Sequence, residues 1–280
     1  MLDWWPDDFV DFGLVSANNP IMKYLFKVAK NNYVKSDATV FSIKGCYKYF
    51  DDKKWDTSNG GPVDLSKVYY INNGVDLNDF NTWKKNNVID DEDFKSDKKL
   101  VVYLGSVRLA NNVGQLIRAA ECLRERKDVL FLVYGDGDDR EPLIQYCREH
   151  QLSNVKFKDK WIELKYVPYV LSQSYLNILN YTAHFGKYGV SSSKMFQYMA
   201  AGKPIVAVLN GEGAEVIKDA DCGWTLPAGN AEGFAKLAIE LSQKEAAELA
   251  VKGANAAKYY NEHFVKEKCL AKLDEMMNLT

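Results

Sequence analysis

The stretch that decides the fold is residues 99–137, KLVVYLGSVRLANNVGQLIRAAECLRERKDVLFLVYGDG. It opens with a short apolar, β-branched run that ends in Gly105, and it closes with a second such run that ends in Gly135. Between these runs, apolar residues recur at the spacing of one helical face: Val113, Leu116, Ile117, Ala120 and Leu123. This pattern predicts a strand, an amphipathic helix and a second strand of a parallel sheet.

The same alternation continues towards the C-terminus. A helix is predicted over DDREPLIQYCREH, and further strands are predicted at NVKF, YLNILNY, PIVAV and GWTLP. Nearly continuous apolar strands that alternate with helices are typical of a parallel sheet covered on both faces. Such α/β sheets bind ligands at the carboxyl ends of their strands. The glycine-rich strand ends YLGSVR and VYGDGDD are therefore candidate ligand-binding loops.

The first eighty residues differ from this pattern. They contain an amphipathic helix over residues 20–36 and only two strands, ATVFSI and KVYYINN. Two strands do not make a stable open sheet by themselves, so we expect an incomplete second α/β domain whose earlier strands are absent. The expected domain organisation is an incomplete N-terminal domain (1–80), a polar linker (81–98), a Rossmann-like domain (99–263) and a terminal helix (264–280) that docks through Phe264, Leu270 and Leu273.

The bulk composition excludes several classes of function. The chain has 280 residues and a net charge of −2, so no excess of positive charge favours nucleic acid as a partner. No apolar run is long enough to cross a bilayer. The cysteines are scattered and show no C-x-x-C spacing, which favours a reducing compartment and five small buried thiols (Cys46, Cys122, Cys147, Cys222 and Cys269).

The stretch SSSKMFQYMAAGKPIVAV (191–208) carries the first candidate site. Ser191 to Ser193 provide cap oxygens for a helix whose first amides attract phosphate. Gly189 lets a ligand approach the backbone, and Lys194 adds positive charge. The alternative is an ordinary capped helix with a solvated lysine.

The strand ends carry further candidates, each with a structural alternative. Gly105, Ser106 and Arg108 are typical of a phosphate-binding loop or of a tight turn with a surface arginine. Gly135 and Gly137 do not have the spacing of a dinucleotide fingerprint and are also explained by a turn. Trp161 has two possible roles: it stacks on the base of a ligand, or it is half-buried and packs against neighbouring side chains. His184 lies in the candidate cleft or is structural; no motif for a metal or a nucleophile is present.

Taken in order, several of these motifs resemble one known family. INNGVDLNDF, YLGS, VYGDGDDREPL, LSNVKFKDKW, VPYVLSQS and YGVSSSKMFQYMAAGKPIVA are similar to the nucleotide-sugar half of family 4 glycosyltransferases of the GT-B fold. LDWWPDDFVDFG is similar to the D-x-W-P segment of bacterial members that build capsule, exopolysaccharide and O-antigen chains. The resemblance covers essentially the whole chain. It implies a GT-B-like α/β fold and metal-independent transfer with retention at the anomeric carbon, without a cofactor.

The resemblance also implies roles for particular residues. Asp3 matches the N-terminal catalytic loop, and Arg108 is the remaining basic residue of a catalytic arginine–lysine pair. Gln197 matches the position that holds the ribose hydroxyls, and Lys160 and Trp161 match the place of the base. The remaining donor-binding positions face the diphosphate or the sugar: Gly105, Ser106, Gly135, His184, Gly189, Val190, Ser191, Ser192 and Lys194.

The chain departs from the family in two respects. The paired glutamates of the family fall on Gly189 and Gln197, so both carboxylates are missing. The βα units that normally precede D-x-W-P are also missing, which agrees with the incomplete sheet inferred from the residues. We therefore expect either a truncated chain or a partner chain, such as a second copy in a homodimer, that supplies the strands.

The leading hypothesis is a cytoplasmic glycosyltransferase that uses a nucleotide-diphosphate sugar, with UDP-sugars favoured, in bacterial surface glycan synthesis. Its partners would be the donor, a glycan or lipid-linked acceptor, and the inner face of the plasma membrane, with no nucleic acid. The alternative is a non-catalytic or partner-completed module that binds a nucleotide sugar. A third hypothesis, a GT-B-fold epimerase, is disfavoured by the D-x-W-P segment.

Overall fold

The structure, a computed structural model, describes residues 4–72, 74–182, 188–189 and 193–279. Among the residues expected at the site, five lie outside the described residues: Asp3, His184, Val190, Ser191 and Ser192.

The N-terminal half contains a small parallel sheet of two strands, β1 (Thr39–Phe41) and β2 (Val68–Tyr70). Both strands were predicted from the sequence, and their register pairs Thr39 with Val68. Four helices and two 3₁₀ turns accompany them: α1 (Asp8–Asp11), α2 (Pro20–Lys35), α3 (Cys46–Lys53), α4 (Leu77–Asn86), Thr57–Asn59 and Leu65–Lys67.

Helices α2 and α4 begin at side-chain caps that the sequence provides. The Asn19 side chain accepts a hydrogen bond from the amide of Ile21 at 2.8 Å, and proline occupies the first position of α2. The Asp76 carboxylate accepts from the amides of Asn78 and Asp79, which starts α4. Helix α4 extends into the stretch that the composition indicated as a linker (81–98), because this cap and the buried Phe80 stabilise a helix there.

The core of the N-terminal half is aromatic. It contains Trp4, Tyr33, Phe41, Tyr49 and Phe50, and the Tyr33 and Phe50 rings meet edge to face at 5.0 Å. The C-terminal half contributes Tyr188 to the same cluster. This aromatic packing stabilises a sheet that would be marginal with two strands alone.

The C-terminal half contains the larger sheet. Its strands are β3 (Lys99–Leu104), β4 (Val129–Tyr134), β5 (Val155–Phe157), β6 (Leu176–Asn180), β7 (Ile205–Val208) and β8 (Gly223–Leu226). All neighbours are parallel, in the order β5-β4-β3-β6-β7-β8, and every strand predicted from the sequence is present. This is the doubly wound order, in which the direction of strand addition reverses between β3 and β6.

Helices cover both faces of this sheet. They are α5 (Val113–Cys122), α6 (Arg140–Glu149), α7 (Val167–Ser172), α8 (Ser193–Ala200), α9 (Glu212–Asp219), α10 (Ala231–Ser242), α11 (Ala246–His263) and α12 (Lys266–Leu279), with 3₁₀ turns at Leu109–Asn111 and Leu164–Tyr166. Alternate residues of β3 enter separate cores, Leu100 and Val102 on one face and Val101 and Tyr103 on the other. The helical face predicted for α5 is buried as expected.

Two predictions of burial were wrong. Leu270 in α12 is exposed, and Met276 one and a half turns further along is buried instead. Cys122 is exposed because it lies at the end of α5, away from the buried face of that helix. Cys46, Cys147 and Cys222 are buried as predicted, and the described cysteines are free thiols.

The two halves are joined by specific contacts. The Tyr260 hydroxyl, from α11, donates to the carbonyl of Val75 at 2.9 Å and accepts from its amide at 2.6 Å. Lys266 forms an ion pair with Asp76 at 3.1 Å. Within the described part of the chain, no helix combines the length and apolar character that a bilayer crossing requires.

Candidate functional site

The candidate site lies where strand addition reverses in the larger sheet. There the carboxyl ends of β3 and β6 are neighbours, and the connections that follow them diverge to open a crevice. Two hydrogen bonds hold the loop after β3 to β6, because the buried Asn180 side chain donates to the carbonyls of Asn111 and Asn112 at 2.7 and 2.9 Å. The loop is therefore a fixed wall of the crevice.

Gly105 and Gly135 allow the two glycine-rich loops to touch. The amide of Gly105 donates to Tyr134 at 3.0 Å. A Cβ on Gly135, whose φ is 123°, would lie 1.9 Å from the Gly105 carbonyl oxygen. Only glycine fits this contact, so backbone atoms line the crevice at this point.

The buried Arg140 supports the second loop from behind. Its guanidinium donates to the carbonyls of Gly135 at 2.7 Å and Lys158 at 2.6 Å. We did not expect this role from the sequence. An arginine at the start of a helix gives no signal of the carbonyls that tertiary packing brings to it.

A cavity of about 550 Å³ fills the crevice. It gathers many of the residues that the sequence indicated: Gly105, Ser106, Arg108, Gly135, Lys160, Trp161 and Gln197. Asp136, between the two glycines of the second loop, and Asp138, directly after them, also line it. The cavity thus combines exposed backbone, two basic side chains and two carboxylates.

Lys160 and Trp161 lie at the open side of the cavity. The Trp161 side chain is 86% exposed, so it is not the half-buried packing that was the structural alternative. The Lys160 ammonium lies 3.7 Å from Asp136 and 3.5 Å from Glu141. An indole ring with this exposure at a cavity mouth is free to stack on a planar ligand.

Lys194 contacts the cavity wall from behind Gly105. Its ammonium lies 3.3 Å from the Tyr103 hydroxyl and within 5.2 Å of the centre of the Tyr181 ring. A Cβ on Gly105 would come within 2.9 Å of this ammonium. With the Asn111 amide turned so that it donates to the Ser106 carbonyl at 2.9 Å, its oxygen accepts from Lys194 at 3.3 Å.

The electrostatics of Lys194 are unusual. Burial lowers the pKa of its ammonium to about 8, because removal from water disfavours the charged form. Among the described residues, no carboxylate lies within ion-pair distance of it. Lys194 is half-buried against Tyr103 and Gly105, so it differs from the fully solvated lysine of the structural alternative. A buried cation without a carboxylate partner is suited to bind an anionic ligand.

Gln197 separates two cavities. Its amide makes no hydrogen bond to the described residues, and it also borders a neighbouring cavity of about 290 Å³. The second cavity lies between α4, α7 and α8, and shares Leu164 and Val167 with the first. Its walls are largely apolar.

Two described candidates do not line this cavity: Lys194, which lies behind Gly105, and Gly189. The Gly189 carbonyl accepts from the Trp4 indole at 2.9 Å, so Gly189 lies against the N-terminal half. Nearby, Glu212 is a residue that the sequence analysis missed. Nothing in the sequence near NGEGAEV shows that this carboxylate reaches the other half of the chain.

The described residues contain no cluster of three or more histidine, cysteine, aspartate or glutamate side chains that would hold a metal ion. The arrangement is instead suited to an anion near the end of β3, where Arg108 lines the cavity and the Lys194 ammonium lies behind Gly105.

Comparison with known proteins gives one family and a group of similar folds. The model described as glycosyl transferases group 1 matches residues 84–260. A comparison with curated proteins gives no match.

Three solved structures illustrate the similarity of fold. A mutant of S. aureus TarM, in complex with Fondaparinux, alpha-GlcNAc-glycerol and UDP, is 17% identical with a TM-score of 0.69, over 93% of this chain and 48% of TarM. Anabaena HepE in complex with UDP-glucose is 18% identical with a TM-score of 0.71, over 92% of this chain and 68% of HepE. WaaG, a glycosyltransferase involved in lipopolysaccharide biosynthesis, is 14% identical with a TM-score of 0.72, over 98% of this chain and 72% of WaaG.

The chain thus spans about half the length of TarM. At these identities the structural matches establish the arrangement of the polypeptide, which is that of GT-B glycosyltransferases. The family model covers well over half of the chain. This chain therefore belongs to the group 1 glycosyl transferases.

Proposed function

We propose that the protein transfers a sugar from a nucleotide-diphosphate donor, with a UDP-sugar favoured, to a glycan or lipid-linked acceptor in bacterial surface glycan synthesis. The observation that carries this proposal is the enclosed Lys194 ammonium beside Gly105, which has no carboxylate partner among the described residues. Family membership supports it, as do the UDP bound to TarM, the UDP-glucose bound to HepE and the pathway of WaaG.

The diphosphate would lie over the end of β3. In this proposal Arg108 and Lys194 supply positive charge, and Ser106 supplies a hydroxyl and a backbone amide. Gly105 and Gly135 allow close approach of the backbone. The first amides of α8 add partial positive charge, with Ser191 and Ser192, which lie outside the described residues, at its entrance.

The nucleoside would lie along the rest of the cavity. Trp161 would stack on the base beside Lys160, and Gln197 would hydrogen-bond the ribose hydroxyls. The sugar would extend towards Gly189 and the undescribed His184 and Val190. The undescribed Asp3 is proposed as a catalytic residue on the acceptor side.

The proposed chemistry is metal-independent and retains the anomeric configuration. The bond between the anomeric carbon and the phosphate oxygen breaks, and negative charge develops on the departing diphosphate. The acceptor oxygen forms the new glycosidic bond, and its proton passes to the departing phosphate oxygen or to solvent. In this proposal Lys194 and Arg108 stabilise that charge, since preorganised cations lower a barrier of this kind.

The test is calorimetric titration with UDP, GDP and ADP and their glucose conjugates. We expect binding of one nucleotide series and a loss of at least tenfold in its affinity in the Lys194→Met variant. A Lys258→Met variant, which changes an exposed lysine on α11, is the matched control. Unchanged affinity in Lys194→Met would contradict the proposed site.

A second candidate function is a non-catalytic or partner-completed module that binds a nucleotide sugar. It is favoured by Gly189 and Gln197, since neither position offers a carboxylate to the cavity. The two functions differ in whether the bound UDP-sugar is converted to products. Hydrolysis of the bound UDP-sugar or its transfer to an added glycan acceptor favours the enzyme, and tight binding without either favours the module.

We also propose a location and a partner. Transfer to a lipid-linked acceptor would place the protein in the cytoplasm, at the inner face of the plasma membrane. A second copy, or another chain, would add strands to the small sheet of β1 and β2, which among the described strands pair only with each other. Light scattering that shows a monomer at all accessible concentrations would contradict the homodimer.

A further inference from the structure

The carboxylate of Glu212 connects the two halves of the protein. Glu212 is the first residue of α9, in the C-terminal half. It accepts a hydrogen bond from the backbone amide of Lys44, after β1, and another from the hydroxyl of Tyr70, at the end of β2. One side chain therefore binds the carboxyl ends of both strands of the small sheet.

Three glycines let the backbones meet at this point. A Cβ on Gly45 would lie 1.7 Å from the Tyr188 carbonyl oxygen, and one on Gly211 would lie 2.6 Å from the amide nitrogen of Gly189. A Cβ on Gly189 itself would lie 3.4 Å from the Cβ of Glu212. We call the set of Gly45, Tyr188, Gly189, Gly211 and Glu212 the glycine junction. Because glycine has no Cβ, the three backbone segments can contact each other closely here.

The Glu212 carboxylate is held by donors rather than by an ion pair. Burial raises its pKa, while the hydrogen bonds from Tyr70 and the Lys44 amide act in the opposite direction. The positive charge of Lys44 also lowers this pKa, although no ion pair between Glu212 and a lysine or arginine is found among the described residues. The Tyr70 hydroxyl is itself oriented by the Asn72 amide at 2.6 Å. A carboxylate with two aligned donors fixes the position of both, because loss of either oxygen leaves a donor without its protein partner.

The glycine junction holds the centre of a stretch that matters for the proposed donor site. Tyr188 and Gly189 lie between residues 183–187 and 190–192, which include His184, Ser191 and Ser192. Trp4 donates to the Gly189 carbonyl at 2.9 Å, and the Tyr188 ring packs edge to face on Tyr49 at 5.3 Å. The position of Gly189, the described residue of this stretch that the sequence assigned to the donor site, therefore depends on this anchor.

We propose that Glu212 is a positioning residue for the donor site, acting through the glycine junction. The inference rests on the proposed function, since it assigns to Glu212 the placement of Gly189, towards which the sugar of the donor would extend. Glu212 lines neither cavity at the site, so its action on a ligand is indirect.

The experiment compares Glu212→Ala and Glu212→Gln, with Glu215→Ala as the control from the same turn of α9. Glu215 is exposed, and Glu215→Ala removes one carboxylate from α9 just as Glu212→Ala does. The first readout is hydrogen exchange of the Lys44 amide. The second is the affinity for UDP and for UDP-glucose in the full chain.

We expect Glu212→Ala to accelerate exchange at Lys44 and to weaken UDP-glucose binding at least fivefold, with a smaller effect on UDP. Glu212→Gln retains an oxygen for the Lys44 amide and should restore most of the affinity, and Glu215→Ala should change neither readout. Faster exchange in Glu212→Ala with unchanged affinity would overturn the positioning role, and so would equal losses in Glu212→Ala and Glu215→Ala. If the unaltered protein binds no nucleotide, both the proposed function and the positioning role fail. Slow hydrogen exchange of the Lys44 amide in that protein would still show that the contact between Glu212 and Lys44 is correct.

Discussion

At the scale of single residues, Lys194 carries the clearest sign of a function that stability alone does not explain. Its pKa is lowered to about 8, so at neutral pH the folded state holds a charge that burial disfavours. The unfolded chain has no such penalty. The same enclosure that makes the ammonium costly places it against Gly105, at the end of a strand where α/β sheets bind ligands.

We therefore predict that Lys194→Met raises the free energy of unfolding at pH 7, by about 2 kcal/mol, while it lowers nucleotide affinity at least tenfold. The sign follows from proton linkage. Between the folded pKa, about 8, and the higher pKa of the unfolded chain, the unfolded state binds more protons, so the stability of the unaltered protein rises with pH in that window. The advantage of Lys194→Met should shrink accordingly above pH 8. Urea denaturation from pH 7 to pH 10 measures it, with Lys258→Met as the control, and a variant that is less stable at pH 7 would contradict the prediction.

The site could be predicted from the sequence only where local patterns decide it. Gly105 and Gly135 follow apolar runs, so their place at the sheet edge was predictable. The reach of Lys194 back to Gly105 was not, because it depends on how α8 packs beside β3. Glu212 was missed for the same reason, since its partners lie 142 or more positions away in sequence and no periodicity encodes them.

At the scale of elements, α2 stands out for its charge. Its 16 residues include four lysines and no acidic residue. Met22, Ala29 and Tyr33 face the core, while Ile21 and Tyr24 are exposed on the other side. A helix that presents lysines and exposed apolar side chains together is typical of binding at an anionic membrane surface.

We predict that Lys23→Glu, Lys27→Glu and Lys35→Glu together abolish binding to vesicles that contain phosphatidylglycerol. Each lysine near such a surface contributes about 1 kcal/mol, so replacing three by glutamate should weaken binding more than a hundredfold. Co-sedimentation measures this, with phosphatidylcholine vesicles for comparison. The matched control is Lys85→Glu, Lys258→Glu and Lys272→Glu, which makes the same change of charge on other helices. Equal loss in both triple variants, or no binding by the unaltered protein, would contradict a role for α2.

The elements themselves were largely predictable, and the exceptions have physical causes. Strands β3 to β8 are short apolar runs bounded by glycine or polar residues, and buried parallel strands have this form. Helix α4 was not expected, because the polar composition after Asn81 conceals a helix that is stabilised by its Asp76 cap and by packing of Phe80. Burial in α12 was assigned to the wrong residue because one weakly amphipathic helix offers several faces.

At the scale of the whole molecule, the two halves are not independent of each other. Tyr188 belongs in sequence to the C-terminal half, yet its ring lies in the aromatic core of the N-terminal half, 5.3 Å from both Trp4 and Tyr49. Tyr260 and Lys266 connect the halves a second time, at Val75 and Asp76. The small sheet therefore depends on contacts from the C-terminal half for part of its stability.

We predict that Gly45→Ala separates the stabilities of the two halves. Gly45 has a φ of −58°, so alanine meets no backbone strain, but its Cβ would overlap the Tyr188 carbonyl oxygen, and two backbone segments must move apart. The displacement removes Tyr188 from the N-terminal core, and loss of a buried aromatic side chain costs about 3 kcal/mol. Hydrogen exchange should therefore accelerate in β1 and β2 while protection in β3 and β4 stays near that of the unaltered protein.

The control for this prediction is Gly114→Ala, in α5. There a Cβ would meet only ordinary contacts at 3.6 and 3.7 Å, and alanine in a helix is about 1 kcal/mol more favourable than glycine, so the C-terminal half should become more stable. If hydrogen exchange in Gly45→Ala accelerates in both sheets, the protein unfolds as one unit, and a loss of stability in the small sheet also destabilises the large sheet. Acceleration confined to the small sheet would mean that the crevice between β3 and β6 persists after the halves separate. In that case nucleotide affinity in Gly45→Ala measures how much of the site the large sheet holds without help from the N-terminal half.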